Sequence, residues 1–521
     1  MRRRAILGRA AKVLAQTRGN REGWSLVTRT LRSGHPDARL RARHRRFGGG
    51  VRWLVLVPVL LAFLAEGASA RPASAATPFS ITTTPGLAPA FSLTTYDYVV
   101  RCSGHATTKI TTAGSGTVTI GGKSFSQPTT VQVGLVANQA VYVNSGTHRY
   151  GIRCLPSDFP GYLSGVSGTP QAHGYLVALL PSPGSNAPRS DYVVAFDRLG
   201  VPVWWYKSTS DPYNAAFYGP NQIGWWTGNE SGGVGVGTYT IMDLAGAKKA
   251  SVGNPSGGTG IDAHDFQILP NGDFLGIQYV NTTLDLSSWG LSTTTPVYDC
   301  QIVELSPSGT IVWSWSTIAH VDVAQENVNW RNLAPDLIHM NSVQQYGNEI
   351  IFSARHLDAV YAIDRTTGNV MWKLGGTTTA KSLTVVGNTY PSVFSGQHDA
   401  RQLLDGTITV HDNATQEPNN TARALRFQID TAAHSATILE GVTDSYFAHP
   451  AACCGSAARL SGGDWVLDWG LANYATELTP TGAPVVQINY FPYFSYRVAV
   501  VPVSDSALNQ GMDAMTAPLH L

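Results

Sequence analysis

The chain has 521 residues, more than one typical domain, and its formal net charge of +2 hides a strong asymmetry along the sequence. The first 53 residues carry 15 Lys or Arg and only two acids, Glu22 and Asp37. Residues 71–521 keep 21 of the 36 basic groups and 31 of the 34 acids, a net charge of about −10 with His neutral. An acidic, lysine-poor body without a basic stripe excludes nucleic acid as the expected partner.

A short apolar run follows the basic leader. Leu54–Ala65 is 12 residues long, too short for a membrane span and typical of the hydrophobic region of a signal peptide. Small residues suit cleavage after Ala70, and a second set just beyond suits cleavage near Ala76. We therefore expect residues 1–76 to be a basic leader and signal peptide, and the mature protein to be secreted or extracytoplasmic without a stable membrane span. An uncut signal anchor is the alternative.

The chain contains five cysteines, and export makes disulfide bonds plausible. Cys102 and Cys154 lie in the same early segment, and we predict that they pair. Cys300, Cys453 and Cys454 leave one cysteine over. A bond between the adjacent Cys453 and Cys454 and a bond to Cys300 both stay open.

Residues 77–168 contain short alternating segments separated by Gly, Ser and Thr. Examples are YDYVVRC, GTVTIGG, TTVQVGLV and QAVYVNS. Alternation of this kind predicts half-buried β-strands. We expect an N-terminal β-sandwich domain of Ig-like kind.

One pattern recurs six times beyond residue 170. Each copy has two alternating strands around a polar or Gly turn, and the copies cover residues 192–206, 238–252, 301–315, 359–374, 424–439 and 474–488. Repeats of this length with four strands per unit indicate a six-bladed β-propeller over residues 169–505, followed by a C-terminal tail, 506–521. The segment 495–502 is expected to supply a closing strand for the first blade. Recurrent Trp residues are interpreted as core between blades rather than as ligand contacts.

Three histidines begin the first half of three repeats. A Gly stands eight residues after each of His264, His339 and His398, and we interpret it as the turn between the first and second strands of a blade. The three histidines therefore occupy one equivalent site at the start of an innermost strand. Because a propeller is radially symmetric, we expect them to meet at one end of the central channel. His449 starts a fourth such half beside the two adjacent cysteines, but these three residues match no strong zinc spacing.

Two further side chains extend the histidine cluster. Arg355 lies at the end of the second strand of the His339 repeat. Asn341, two residues after His339, is expected to share its face of the strand, whereas His356 is expected to face the other way.

The side chains of this cluster indicate whether it binds a metal ion or an anion. Three His residues suit zinc or copper. Asp265 and Asp399 each follow a His directly and are expected to point away from the channel, where either could still orient a neighbouring imidazole. A carboxylate ligand is therefore missing from the obvious position. Arg355 would repel a cation, whereas protonated His, Arg and Asn supply donors to an anion. We therefore predict an anion site without a metal or cofactor.

The ordered motifs HDFQILPNG, HMNSV…FSARH…VYAIDRTTGNVMWKLGG and QHDARQLLDGTITVHDNA resemble the bacterial arylsulfotransferase family. Its members are exported six-bladed β-propellers, also called aryl-sulfate sulfotransferases, with a small N-terminal β-sandwich. The resemblance covers most of residues 170–500. It implies transfer of a sulfuryl group from a phenolic sulfate ester to a phenol acceptor, without 3′-phosphoadenylyl sulfate or another nucleotide donor.

The resemblance also implies roles for individual residues. The family's transient sulfohistidine matches His398, and its sulfate-binding positions match His264, His339, Asn341 and Arg355. A two-step ping-pong exchange through His398 follows, with Arg355 stabilising the transferred group. Either His264 or His339 would then carry the proton to and from the phenol oxygen.

Two other functions fit the sequence. The first is a non-catalytic secreted or cell-surface propeller that binds carbohydrate or protein through aromatic loops. The second is a metal-dependent enzyme that uses the histidine cluster. Turnover that requires a phenol acceptor separates the first from a sulfotransferase, and sensitivity to a chelator separates the second.

Overall fold

The computed structural model describes residues 77–231, 233–253 and 260–521. All of these belong to one compact unit, Ser74–Leu521. The predicted leader and signal peptide, residues 1–76, lie outside the described residues. Within the part of the chain that the structure describes, no helix is long and apolar enough to cross a membrane.

The first described segment forms nine strands in two sheets. They are β1 (Ser80–Thr84), β2 (Leu87–Ala88), β3 (Asp97–Val100), β4 (Thr108–Ala113), β5 (Thr117–Ile120), β6 (Lys123–Ser126), β7 (Thr129–Val133), β8 (Ala140–Ser145) and β9 (His148–Cys154). One sheet has the order β1-β4-β7 and the other β2-β3-β9-β8-β5-β6. Ile110 from the first sheet and Val143 from the second lie in one core, as expected of a sandwich. The two packed sheets of the predicted sandwich are present, whereas its separation as a domain over residues 77–168 and its Ig-like kinship stay predictions.

The predicted disulfide bond Cys102–Cys154 is present in this domain. It joins Cys154, the last residue of β9, to Cys102, two residues after the end of β3, and the two strands run parallel to each other. Cys300 is buried as a free thiol. The disulfide bond therefore links two neighbouring interior strands of the larger sheet.

The following segment is almost entirely β-structure. Its strands are β10 (Leu163–Val166), β11 (Gly174–Pro181), β12 (Tyr192–Asp197), β13 (Pro202–Lys207), β14 (Tyr213–Gly219), β15 (Gln222–Ser231), β16 (Val234–Asp243), β17 (Lys248–Gly253), β18 (Phe266–Ile268), β19 (Phe274–Leu284), β20 (Thr295–Leu305), β21 (Ile311–Ser316), β22 (Met340–Tyr346), β23 (Glu349–Ala354), β24 (Ala359–Asp364), β25 (Val370–Gly375), β26 (Thr384–Val386), β27 (His398–Gln402), β28 (Ile408–Asp412), β29 (Arg423–Asp430), β30 (Ser435–Val442), β31 (Ser456–Arg459), β32 (Trp465–Asp468), β33 (Tyr474–Leu478), β34 (Pro484–Asn489), β35 (Tyr493–Phe494) and β36 (Val498–Val500).

These strands form six antiparallel four-stranded blades. Five blades are consecutive in sequence: β14–β17, β18–β21, β22–β25, β27–β30 and β31–β34, with β26 and β10 added at the edges of the last two. The remaining blade has the order β36-β11-β12-β13, so the C-terminal strand closes the ring onto the first blade. Six sheets with this closure define a six-bladed β-propeller, which confirms the predicted fold and closing strand.

The six predicted hairpins are the outer strand pairs of the six blades. Trp204 and Trp315 lie on two outermost strands, are buried, and donate their indole N–H groups to carbonyls of the neighbouring blade. The acceptors are Leu244 and Gly368, each at 2.8 Å. These tryptophans therefore pack and bond between blades, as predicted, because a buried indole N–H needs an acceptor.

The chain also contains the short helix α1 (Val323–Glu326) and a longer C-terminal helix, α2 (Asp505–Met515). Ser504 caps the first turn of α2 by accepting from a backbone N–H. Leu508 and Met512 pack into the core of the first blade. Asp513 forms a 2.8 Å ion pair with Arg153 of the sandwich. The residues predicted as a tail thus include a helix that bridges the sandwich and the propeller.

Three carboxyl groups converge where the sandwich, the first blade and α2 meet: Asp97, Asp197 and Asp505. Burial raises the pKa of Asp97 to about 6 and that of Asp197 to about 8. A carboxyl whose pKa rises on folding stabilises the fold while protonated, and that stabilisation is lost as the pH rises through the folded-state pKa. We expect the contribution of Asp97 and Asp197 to the free energy of unfolding to fall between about pH 4 and pH 8, by up to about 1.4 kcal/mol per pH unit per group.

The substitution Asp197→Asn tests this expectation. One carboxylate oxygen of Asp197 accepts the backbone N–H groups of Leu199 and Val201 at 2.8 Å each, and the Asn amide oxygen can keep both bonds. The stability gain of the variant over the wild type should grow from pH 4 to pH 8 in denaturant titrations. Asp322→Asn, at an exposed helix cap, is the matched control and should show no such trend. A constant gain for Asp197→Asn would contradict the expectation.

Candidate active site

The innermost strands of all six blades begin around one cavity of about 340 Å³. Each blade contributes a side chain there, just before or at the start of its innermost strand. These residues are Tyr213 at β14, His264 at β18, His339 at β22, His398 at β27, Cys453 and Cys454 at β31, and Tyr496 at β36. The ring of blades thus brings residues from distant parts of the sequence together, as the repeat alignment predicts.

Four of the five predicted site residues line this cavity: His264, His339, Arg355 and His398. The rings of His264 and His339 lie 4.7 Å apart, centre to centre. None of the four is more than 8% exposed. Because water is largely excluded, interactions of these groups with a bound charge are strengthened.

Asn341 is buried but does not line the cavity. Its side-chain amide donates to the carbonyl of Gln397 at 2.7 Å, directly before His398. The pairing of β22 shifts register between Met340 and Ser342, so strict alternation does not apply at Asn341. The expected sharing of a face with His339 is therefore wrong, and Asn341 reaches the site only through the backbone next to His398.

Arg355 faces the cavity from a 3-10 turn, Arg355–Leu357, that follows β23. His356 lies in the same turn and lines the same cavity, so the expectation that it faces away is wrong. One terminal nitrogen of Arg355 donates to Nε2 of His356 at 2.8 Å, and the other donates to the carbonyl of Ala452 at 3.0 Å. The guanidinium lies 4.4 Å from the ring centre of Trp330. Burial lowers the pKa of Arg355 to about 10.

His398 is held in one tautomer. Its Nδ1–H donates to the side-chain oxygen of Asn413 at 2.7 Å and faces the carbonyl of Gly396 at 3.0 Å. Its Nε2 accepts the backbone N–H of Cys454 at 3.1 Å. Burial, together with the charge of Arg355, holds the pKa of His398 well below its usual range. His398 is therefore neutral, with its lone pair on Nε2.

The other two histidines are paired with acids. Nδ1 of His264 contacts the carboxylate of Asp262, and Nδ1 of His339 contacts that of Asp336 at 2.6 Å. Burial lowers the pKa of His264, but the Asp262 charge and hydrogen bond outweigh it, so the net pKa is raised. At His339, burial outweighs the effect of Asp336, and the pKa is lowered. His264 therefore holds a proton more readily than His339.

Sequence reasoning missed the partners of all three histidines. Asp262 stands two residues before His264, and Asp336 stands three residues before His339. Asn413 directly follows β28, as Arg355 directly follows β23. Comparing positions just outside the strands of each repeat would have pointed to these residues.

Asp265 and Asp399 do not point away from the channel, contrary to expectation. They line a second cavity of about 530 Å³, which is bounded by the innermost strands. Arg401 bonds both carboxylates at 2.8 Å, and Arg497 contacts Asp265 at 3.1 Å. A positive φ at Asp399 and a register shift beside it disturb the alternation. The two arginines neutralise the two carboxylates. Because these residues come from different blades, their ion pairs join the blades to one another.

Cys453 and Cys454 are bonded to each other, which settles the open choice between a vicinal bond and a bond to Cys300. Their sulfurs therefore cannot act with His449 as thiolate ligands. His449 is exposed, and its Nδ1 contacts the carbonyl of Pro450 at 2.9 Å. The inserted segment contributes the two cysteines to the wall of the cavity, whereas His449 does not line the cavity.

One group at the cavity has the composition of a cation site: Asp336, His339 and His356. Their hydrogen bonds argue against that use. Nδ1–H of His356 donates to the backbone carbonyl of Asp336 at 2.8 Å, and its Nε2 accepts from Arg355. A buried guanidinium beside these residues favours a tetrahedral oxyanion over a metal ion.

Fold and site together define a class of protein: a six-bladed β-propeller with a buried histidine and arginine pocket for an anion at the centre of its ring. The sequence model of the arylsulfotransferase (ASST) family matches residues 218–490, more than half of the chain. The chain belongs to the arylsulfotransferase family. This membership gives it the general function of a sulfotransferase with a small-molecule donor and acceptor.

No curated protein matches the sequence significantly. Among solved structures, the chain resembles a protein of unknown function from Bacteroides caccae, with 11% identity, 64% of this chain and 100% of that chain covered, and a TM-score of 0.37. It also resembles the periplasmic gluconolactonase PpgL of Pseudomonas aeruginosa, with 13% identity, 63% and 99% covered, and a TM-score of 0.37. At such low identities and TM-scores, these likenesses carry no argument about function.

Proposed function

We propose that the protein is an exported aryl-sulfate sulfotransferase that moves a sulfuryl group from a phenolic sulfate ester to a phenol through a sulfated His398. The proposal needs no nucleotide sulfate donor. The observation that carries it is the neutral, buried His398, which keeps a lone pair on Nε2 inside a cavity that it shares with Arg355. Two disulfide bonds support export, because such bonds persist in oxidising compartments.

In the first step, Nε2 of His398 attacks sulfur in line with the aryl oxygen. The N–S bond forms, the S–O bond to the ring breaks, and the electron pair leaves on the phenolate oxygen. By analogy with phosphoryl transfer, negative charge spreads over the three remaining sulfuryl oxygens. Arg355, buried and aimed into the cavity, stabilises that charge without reorganisation of solvent.

His264 carries the proton. Burial lowers the pKa of His264, but the charge and hydrogen bond of Asp262 raise it further than burial lowers it. His264 therefore stays protonated at a higher pH than His339 or His398, whose pKa values are lowered. It protonates the leaving phenolate oxygen in the first step. In the second step it takes the proton of the acceptor phenol, whose oxygen attacks sulfur while the N–S bond breaks and His398 is restored.

The remaining walls of the cavity suit an aryl ring. Tyr213, Leu333 and Tyr496 line it, and the two tyrosine rings lie 5.8 Å apart, centre to centre. The hydroxyl of Tyr496 is buried and has no hydrogen-bond partner among the described residues. An aromatic wall with one free donor fits a phenol that carries an oxygen substituent.

The direct test omits the acceptor. Protein mixed with 4-nitrophenyl sulfate should release one equivalent of 4-nitrophenol and gain one sulfuryl group on the peptide that contains His398. Continuous release should begin only when phenol is added, and a chelator should not change it. Continuous release without phenol, or no modified His398, would reject the proposal.

A second prediction concerns the leaving group. Asp262→Asn removes the charge that raises the pKa of His264. The amide oxygen can keep the bond to the His264 backbone N–H, whereas the bond from the Gly235 backbone N–H to the second oxygen is lost. We expect kcat to fall about 100-fold with phenyl sulfate, whose phenolate needs protonation. With 4-nitrophenyl sulfate the loss should be several times smaller, because 4-nitrophenolate leaves unprotonated.

Asp430→Asn, at an exposed hairpin turn, is the control and should leave both rates unchanged. Initial rates at saturating donor and acceptor give the comparison. Equal losses with the two donors would show that Asp262 acts on the fold or on binding, and that His264 is not the proton donor.

A further inference from the structure

The bonded pair Cys453 and Cys454 forms the wall of the cavity beside His398. Cys454 has a φ of +66°, a left-handed conformation that L-residues disfavour. A covalent bond between neighbouring side chains restricts the conformations open to the peptide unit between them. The turn therefore keeps a backbone conformation that the sequence by itself disfavours.

This turn contacts both sides of the His398 environment. The backbone N–H of Cys454 donates to Nε2 of His398 at 3.1 Å. The carbonyl of Cys454 accepts from the side-chain amide of Asn413 at 3.0 Å. The oxygen of the same amide accepts from Nδ1–H of His398 at 2.7 Å. His398, Asn413 and Cys454 thus form a closed ring of hydrogen bonds that fixes the imidazole.

The flanks of the turn are also anchored. Arg355 donates to the carbonyl of Ala452 at 3.0 Å, and the backbone N–H of Gly455 donates to the carbonyl of Tyr496 at 2.9 Å. The N–H of Cys454 is therefore held in place before substrate arrives. A donor of this kind is effective when it is aimed at the position where negative charge develops.

We propose that the Cys453–Cys454 turn is a positioning element for sulfuryl transfer, in which the disulfide bond holds the Cys454 backbone N–H against Nε2 of His398. The inference rests on the proposed role of His398. Nε2 has a single lone pair, so the Cys454 N–H turns away from it when sulfur takes that position and the N–S bond forms. The sulfuryl oxygens, attached through sulfur to the same nitrogen, are then the nearest acceptors to replace it.

Opening the disulfide bond should slow transfer without weakening donor binding. A dithiol such as dithiothreitol supplies two electrons and two protons, becomes a cyclic disulfide, and leaves two cysteine thiols. We expect kcat to fall about 10- to 100-fold because one oriented donor is lost. The KM for 4-nitrophenyl sulfate should change less than about twofold, because the donor acts mainly in the transition state.

The dependence of kcat on pH distinguishes a positioning role of the turn from a purely structural one, because a purely structural role would leave the acidic limb of the profile in place. An N–H that donates to Nε2 favours the neutral imidazole, so its loss should shift the acidic limb of kcat to higher pH. The other charged or titratable groups that act on His398 are Arg355, His339 and His411. Tyr496 also packs against the His398 ring, and reduction adds the two thiols of Cys453 and Cys454 beside it. The variant with Ser at both positions contains neither thiol, so the same shift in that variant assigns the effect to the Cys454 N–H.

The experiment uses the full chain with Cys102→Ser and Cys154→Ser, so that only the Cys453–Cys454 bond responds to reductant. Alkylation and mass spectrometry verify its reduction, and reoxidation should restore the rate. Adding Cys453→Ser and Cys454→Ser gives the matched control, which should be slow and insensitive to reductant. If the first pair of substitutions prevents folding, Cys453→Ser with Cys454→Ser in the otherwise native chain should show the same loss.

Complete reduction with kcat and the acidic limb unchanged would overturn the inference, as would a change confined to KM. Sulfation of His398 by 4-nitrophenyl sulfate is followed in the oxidised sample of the same preparation. Its absence there rejects the proposed function itself. Its presence, combined with insensitivity to reduction, rejects only the positioning role of the turn.

Discussion

Replacing His398 with Asn is expected to lower kcat for transfer from 4-nitrophenyl sulfate to phenol by at least about 10⁴-fold. The amide occupies a similar place on β27, but its nitrogen has no lone pair that can attack sulfur. Without the covalent intermediate, one difficult transfer is no longer divided into two easier ones. Initial rates at saturating donor and acceptor measure the loss, and the sulfuryl adduct should disappear at the same time.

The control is His434→Asn. His434 lies in an exposed hairpin turn at a φ of +52°, a conformation that Asn tolerates well. This variant should keep wild-type kcat and the adduct on His398. Full activity of His398→Asn would show that another residue is the nucleophile or that transfer is direct.

Replacing Arg355 with Met should lower kcat about 10²- to 10³-fold, the second-largest effect that we expect. The substitution removes the buried positive charge that faces the transferred group. Arg355→Lys keeps a charge but loses the planar fork that bonds His356 and Ala452 together, so it should restore only part of the rate. Because the pKa of Arg355 is about 10, wild-type kcat should also decline above that pH.

Arg189→Met, at an exposed side chain, is the matched control and should leave kcat unchanged. Thermal unfolding of each variant separates a loss of charge from a loss of fold, since Arg355 also anchors the turn at Ala452. An unfolding temperature close to wild type together with full activity in Arg355→Met would contradict a role for this charge in transfer.

The predictions from sequence that succeeded depend on repetition. Six similar hairpins, each with its own turn, predict six blades because a hairpin is specified by a few neighbouring residues. The constant spacing from His264, His339 and His398 to a following Gly predicts one equivalent position in three blades. The symmetry of the propeller then brings those positions to one cavity.

The predictions that failed depend on strict alternation along a strand. Asn341 lies at a register shift, His356 lies in a 3-10 turn, and Asp399 has a positive φ next to another register shift. These irregularities occur where strands begin and end, at the edge of the cavity. Period-two reasoning applies within a paired strand and is unreliable at such ends.

The sequence by itself determined the ring of blades, the closing strand and the meeting of His264, His339 and His398, because each of these follows from local patterns repeated along the chain. Only the tertiary structure decided that His398 is neutral, that His264 holds its proton better than His339, and that Cys454 donates to His398. Charge states depend on burial and on groups brought close by folding. A sequence pattern contains neither quantity, so those features of the site appear only once the blades are assembled.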